Sequence, residues 1–318
     1  MALIFQLIIQ GAQMMLVLLL APLLTGFVRK VKARLLRRRG PSLIQPYRDL
    51  LRLMRKEVVL ADNASWLFRV TPYLIFAATW VAAALIPTFA TGLTFSWNAD
   101  LIAIVALLGS ARFFLALAGM DVGTSFGGIG SSREVMIASL AEPAMLLIVF
   151  SLALVAGATQ LSTVAAFMGS PEVGLPVSLG MSLIALVIVA LAENARIPVD
   201  NPTTHLELTM VHEAMVLEYS GRHLAMIEFA AFLKLLLYIS LISCVFVPWG
   251  LVTAGAGPDA FVLGILAYVA KLAVAGILLA LFETVIAKMR VFRVPDFLGA
   301  ALMLALLSTL LLFVSRSL

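Results

Sequence analysis

The chain has 318 residues, of which 63% are hydrophobic and 12% charged, with mean hydropathy +1.09 and a formal net charge of +5. Soluble domains carry about twice that charged fraction, and uncharged runs of about 20 residues recur along the chain, which excludes a soluble globular enzyme. The one cysteine, Cys244, lies in an apolar run, so no disulfide framework, iron–sulfur cluster or cysteine zinc site can be built from this chain alone.

A helix rising about 1.5 Å per residue crosses a hydrocarbon core of roughly 30 Å in about 20 residues. In chain order, eight apolar segments answer to that length, at about 3–25, 70–90, 100–119, 135–157, 175–192, 224–247, 261–283 and 297–315. The first has no basic residues before it and no small-residue cleavage site, so it reads as a retained helix and not a signal peptide. The connections differ sharply in charge. The first holds twelve Lys and Arg, the third Arg133, the fifth Arg196 and Arg222, and the seventh Lys288, Arg290 and Arg293. The second, fourth and sixth hold none, eighteen against zero. Basic connections stay in the cytoplasm, so the cytoplasmic segments are about 26–69, 120–134, 193–223 and 284–296, and both termini lie on the other side. The expected fold is an all-α, polytopic membrane protein of eight helices in a single integral membrane domain over 1–318, with long connections after helices 1 and 5. The basic charge is a topology signal, and nucleic acid is not an expected partner. Without an internal repeat, a transporter of two similar halves is not supported.

Several motifs fail on inspection. "GTSFGGIGSS" at 123–132 is glycine-rich but lacks the following Lys-Ser/Thr of a phosphate loop and reads as a flexible turn between spans. "HEAMV" at 212–216 begins like a zinc-protease helix, but Val216 stands where the second histidine belongs. His205 and His212 on one helix would sit about 10 Å apart, too far to share a metal. No residue is assigned as a metal ligand or catalytic group.

Charges inside the spans ask for a reason, because each costs about 2.5–3.5 kcal/mol at the centre of a helix on insertion scales. Arg112, Glu142, Lys234 and Lys271 fall near the middle of their segments, and Glu228 and Glu283 closer to the ends. Buried ion pairs or snorkelling would explain them structurally. A hydrated path of alternating acids and lysines, able to pass protons, would explain them functionally.

The most polar long stretch is "ENARIPVDNPTTHLELTMVHEAMVLEYSG", starting at Glu193. Asn201 and Pro202 form a helix start, and Ser220-Gly221 a stop, which predicts a helix over about 202–219. Glu207 and Glu218, three turns apart, would line one face of it.

This stretch resembles the loop between the fifth and sixth helices of the complex I membrane subunit that borders the quinone chamber. It is carried by Glu193, Arg196, Pro198, Asp200, Glu207-Leu208 and Glu218-Tyr219-Ser220-Gly221. The first connection is similar as well, through Arg39, Gly40, Pro41, Gln45, Pro46, Asp49, Lys56 and Glu57, as is Arg133 followed nine residues later by Glu142. The departures select a branch. Only "SLI" separates Gly-Pro from Gln-Pro, Thr203 and His205 replace acidic positions, and Ala231 stands where the complex I chains have a glutamate. "PVDNPTTHLELTMVHEAMVLEYSGRHLA" and "SSREVMIASLAEP" resemble instead the membrane subunit of membrane-bound nickel–iron hydrogenases of the formate hydrogenlyase type.

That resemblance implies a multi-pass subunit of a bacterial or archaeal cell membrane with no catalytic centre of its own. Nickel–iron and iron–sulfur centres would belong to the hydrogenase large and small subunits docked on its cytoplasmic face, and antiporter-like subunits would be its membrane partners. The coupling and docking residues it implies are Arg39, Gln45, Asp49, Lys56, Glu57, Arg133, Glu193, Arg196, Asp200, His205, Glu207, His212, Glu213, Glu218 and Tyr219. The proton-path candidates are Glu142, Glu228, Lys234, Lys271, Arg112 and Glu283. Two other readings stay open: the quinone-chamber subunit of an NADH:quinone oxidoreductase, and a stand-alone ion transporter.

Overall fold

The computed structural model describes residues 2–92, 99–170, 177–196, 199, 211–253, 256–287, 289 and 293–317. The helices are α1 (Ala2–Leu35), α2 (Gln45–Met54), α3 (Trp66–Leu85), α4 (Leu101–Asp121), α5 (Ser125–Ala156), α6 (Leu161–Met168), α7 (Val177–Glu193), α8 (His212–Val216), α9 (Gly221–Phe246), α10 (Pro258–Val285) and α11 (Val294–Ser317). Two short strands, β1 (Ala90–Thr91) and β2 (Val252–Thr253), pair in parallel. Eight of the helices occupy the eight predicted spans. Seven are long and apolar enough to cross a bilayer, and the eighth, α7, has 17 residues. At about 26 Å it falls just short of a hydrocarbon core of roughly 30 Å. The protein is an all-α polytopic membrane protein.

Polar residues set several helix starts. Ser65 accepts from the Leu67 amide, Asp100 from Ile102 and Thr124 from Gly127, each satisfying a backbone donor that the first turn leaves open. Helix α5 stops at Gly157, which takes the left-handed conformation (φ 70°).

The connections sort by end, as the charge count requires. On the basic side, the Asn63 amide donates to the Val122 carbonyl (2.6 Å) and the Ser65 amide to Asp121 (2.9 Å). There too Ser220 exchanges hydrogen bonds with the backbone of Val59 (2.8 and 2.9 Å). On the basic-free side, β1 and β2 join the second and sixth connections. Leu101 and Leu161 donate to Thr159 and Ala99, tying the second connection to the fourth. Odd connections meet odd, and even meet even. Helix α9 is the central element, with 67% of its most apolar window buried, whereas 22% is buried in α10, which faces outward.

Two expectations are corrected. The glycine-rich 123–132 stretch is no flexible turn. Residues 125–132 are the first two turns of α5, and the third cytoplasmic connection shrinks to 122–124. The glycines serve close approach: a Cβ on Gly127 would collide with the Gly119 carbonyl. One on Gly130 would sit 2.9 Å from both Met215 Cγ and the Val211 carbonyl oxygen. The predicted 202–219 helix is the second correction. Its 201–210 portion lies outside the described residues, the described helix is only His212–Val216, and Ser220-Gly221 opens α9 instead of ending α8. Gly221 has φ 54°, and a Cβ on it would collide with the Glu57 carbonyl and sit 2.8 Å from that of Lys56, so it needs both the left-handed region and the absence of a Cβ. Helices α2 and α6 within the connections were not anticipated.

Gly130→Val should lower stability by about 1–3 kcal/mol through overpacking against α8. Gly128, with nothing within 4 Å of its would-be Cβ, is the control: Gly128→Ala should hold or gain up to about 1 kcal/mol from helix propensity. Thermal unfolding in detergent separates the two.

Candidate functional site

Arg112 lies on α4, and its side chain is 6% exposed. Three carboxylates converge on its guanidinium. Glu134 on α5 approaches to 3.2 Å, Glu142 one further stretch along α5 to 3.8 Å, and Glu193 at the end of α7 makes a close ion pair. Lys234 on α9 reaches the other oxygen of Glu193 at 4.0 Å. Gly109, one turn before Arg112, lies against Glu142, with its would-be Cβ at an ordinary contact distance of 3.5 Å from Oε1. None of the contacts is aligned as a hydrogen bond, so the guanidinium nitrogens have no aligned partner among the described residues.

Two small cavities flank Arg112. One is lined by Thr79, Arg112, Glu134, His212 and Lys234 among apolar residues, and offers about 30 Å³ to water. The other is lined by Arg112, Glu142, Glu193 and Tyr238 and offers about 10 Å³. A water needs about 10–15 Å³ by this measure, together with polar partners. The first cavity therefore has room for two waters and the second for about one, and both meet at the unaligned guanidinium.

His212 on α8 closes the first cavity from the basic side. Burial, then the charge of Lys234, pulls its pKa down to about 4; Glu134 opposes this and Arg112 reinforces it. It is neutral at pH 7.

The six proton-path candidates divide. Arg112, Glu142 and Lys234 come together; Glu228, Lys271 and Glu283 go elsewhere. Glu228 and Lys234 are six residues apart, which on a helix turns them to different sides. Glu228 interacts with Arg29, Asp49 and Arg52. Lys271 donates to the Val247 carbonyl (2.6 Å), at the C-cap of α9. Glu283, with its side chain 3% exposed, holds Lys32 at 2.7 Å and Arg196 at 3.3 Å, joining α1, the fifth connection and α10.

Of the residues expected at a partner surface, Glu193 and His212 instead face the buried cluster. Tyr219 is buried, stacked on Phe68 at 3.9 Å and donating to the Phe68 carbonyl, so its ring is a packing element; burial raises its pKa. Gln45 donates to Asp49 along α2, and Asp49 also pairs with Arg52. Arg39, Lys56, Glu57 and Glu218 are exposed, and Arg133 and Glu213 half-buried. Asp200, His205 and Glu207 lie outside the described residues.

Glu134 was missed. With the fourth span begun at 135, it fell in the connection; once α5 starts at Ser125, it is a buried acid about two turns before Glu142. Tyr238 was missed for another reason, since an aromatic within an apolar run gives no signal.

Comparison with known proteins places this geometry. A family model described as NADH dehydrogenase matches residues 9–314. Formate hydrogenlyase subunit 4 of Escherichia coli K12 is 34% identical over 278 residues, covering 86% of this chain and 88% of that one. Hydrogenase-4 component C of the same organism is 34% identical, covering 75% of each chain. An NADH-quinone oxidoreductase subunit of Salinibacter ruber is 28% identical, over 68% of this chain and 65% of its own. A solved chain of the membrane-bound sulfane sulfur reductase, an archaeal respiratory membrane complex, shares the fold with TM-score 0.77 at 20% identity, covering 98% of this chain and 99% of that one.

Arg112→Met should cost about 3–5 kcal/mol by leaving buried carboxylates uncompensated, and adding Glu193→Gln should recover part of it in thermal unfolding. An unchanged single variant would show that the ion pairs carry no stability. For His212 the folded pKa lies below the ordinary value of about 6.5, so the unfolded chain takes up the proton first as pH falls. Stability should therefore be full above about pH 6.5 and decline as pH falls towards 4, and His212→Asn should flatten that decline. Melting temperatures of both proteins across that range test it.

Proposed function

We propose, from the premise that this chain belongs to the NADH dehydrogenase family and the same branch as formate hydrogenlyase subunit 4, that it is the membrane-anchor subunit of a nickel–iron hydrogenase complex. In this reading it docks the hydrogenase large and small subunits on its basic face, neighbours antiporter-like membrane subunits, and couples electron transfer to proton movement. The redox centres, nickel–iron and iron–sulfur, reside in the partners. The observation that carries the coupling role is the Arg112 cluster, a polar group at the depth of the spans that continues through His212 to α8 on the basic side.

The chemistry fits proton handling. With all carboxylates ionised, three acids (Glu134, Glu142, Glu193) face two cations (Arg112, Lys234), a formal charge of −1. Adding one proton would bring the formal charge of the group to zero. Such a cluster holds or releases a proton when a neighbouring charge or contact changes. The segment bearing His212 also carries half-buried Glu213 and exposed Glu218, acids that in this reading would meet a docked partner. The alternative, a quinone-chamber subunit of an NADH:quinone oxidoreductase, is not favoured; relatives of that type match at lower identity.

Purification of the tagged chain from its native membrane, with partners identified by mass, tests the docking role. Nickel–iron subunits and hydrogen evolution from a reduced dye are expected; flavin- and NADH-binding partners without hydrogenase would overturn it. In the assembled complex, Glu142→Gln and Lys234→Met should lower proton-coupled activity at least tenfold while dye-linked hydrogen evolution stays within twofold (~1.4 kcal/mol per tenfold step). Unchanged coupling in both would remove the cluster from the path.

A further inference from the structure

Residues 26–69 carry twelve Lys and Arg against three acids, Asp49, Glu57 and Asp62. How this segment folds gives its charge a depth. Helix α1 runs on to Leu35, and the chain then reverses through Arg37, which takes φ 55°. Gly40 packs back on α1, with its would-be Cβ 2.9 Å from Ala33 Cβ and 3.1 Å from Lys30 Cα. At Gly26 the returning backbone comes closer still: a Cβ there would collide with the Leu43 carbonyl and lie 3.3 Å from Pro46. The Tyr47 hydroxyl donates to the Leu19 carbonyl. Helix α2 therefore lies beside α1 at the level of Leu19–Gly26, not at the level of its end.

Arg29, the first charge of α1, stands one turn beyond Gly26, so this level lies just inside the edge of the hydrocarbon. Helix α1 has no charge before Arg29, and the nine residues from Gly26 to Leu35 rise about 13 Å. Lys30, Lys32, Arg34 and the Arg37–Arg39 turn thus stand above α2, at headgroup height. Trp66, 73% exposed at the start of α3, sits where interfacial tryptophans belong.

Helix α2 has two apolar stripes. Pro46 and Leu50 are buried against the chain. Ile44 at its N-cap, Leu51 and Met54 are exposed, and on the wheel this second stripe turns directly into Arg48, Arg52 and Arg55. An apolar stripe at acyl depth beside arginines at phosphate height is complementary to one class of molecule. We propose that the α1–α2 corner binds an acidic phospholipid. Its acyl chains run along Ile44, Leu51 and Met54, and its phosphate is held by arginines of α2 and the Arg37–Arg39 turn. A cytoplasmic protein docked above the membrane would meet the arginines, but the stripe lies below its reach.

In the test, the full-length chain in detergent is offered phosphatidylglycerol and phosphatidylcholine in equal amounts, and retained lipid is counted by native mass spectrometry. Phosphatidylglycerol should be preferred. Each basic residue near the surface is worth roughly fivefold, so the R37Q/R38Q/R39Q variant should lose at least tenfold of the preference, and salt should weaken it. Independently, bimane on Leu51→Cys in the assembled complex should be quenched by phospholipid with brominated acyl chains. Equal retention of the two lipids, or an undiminished preference in the triple variant, overturns the proposal. So does fluorescence unmoved by brominated lipid, which would mean that another subunit covers α2.

Discussion

A guanidinium cannot be left alone in the interior of a membrane protein. Arg112 is enclosed among four helices, and moving a charge there from water costs several kcal/mol even after relaxation. Two acids from α5 and one from α7 supply the compensation, and the last of them, Glu193, is shared with a lysine from α9. The rotation of each helix about its axis is thereby constrained: Glu134 and Glu142 must face α4, Glu193 must turn inward, and Lys234 must lie on that side of α9. Apolar packing alone would not demand this, because hydrocarbon outside and leucine inside offer a helix nearly the same environment. The cluster is better read as a specifier of helix orientation than as a large net source of stability.

Small residues make that geometry reachable. Gly119, Gly127 and Gly130 let α4, α5 and α8 approach until backbone meets side chain. Elsewhere hydroxyls do the joining. Ser182 and Ser308 share a 2.7 Å hydrogen bond between α7 and α11, and Ser240 pairs with Tyr268 between α9 and α10 at the same distance. Neither glycine nor serine adds hydrophobic area; both shorten the distance between helices, which is how spans associate where lipid competes for apolar contact. The clamp of Ser220 on Val59, beside the close seat of Gly221 on Glu57, extends the same economy to the loops and fixes α8 over the cluster.

Much of the architecture was legible in the sequence because hydropathy and the placement of Lys and Arg answer directly to the bilayer. The eight spans and their alternation follow from those two patterns. What stayed hidden follows from the same logic. Glycines in 123–132 carry the local signature of a turn, and only the neighbours Met215 and Val211 convert them into a helix surface. Glu134 was hidden with them. Glu228, Lys271 and Glu283 were visible as charges, but which partner each would find depended on helix rotation, which one residue's hydropathy does not encode. Tyr219 matched a family motif; that the motif serves packing on Phe68 could be learned only from the ring stack.

The two charged regions of the molecule obey different physics, and this bears on how a signal could cross it. The arginines of the first connection are mostly exposed, so salt screens them within about 8–10 Å, and they act on whatever touches them. The Arg112 group is enclosed, so its charges act on one another across short, poorly screened distances. Helix α8 stands between the two regimes, with His212 against the cavity and Glu218, two residues beyond its end, exposed on the basic side. A partner that binds one position of α8 better than another changes the surroundings of His212, Glu134 and Lys234 by that difference in affinity and no more. Coupling through this route therefore requires α8 to have two seats of nearly equal energy.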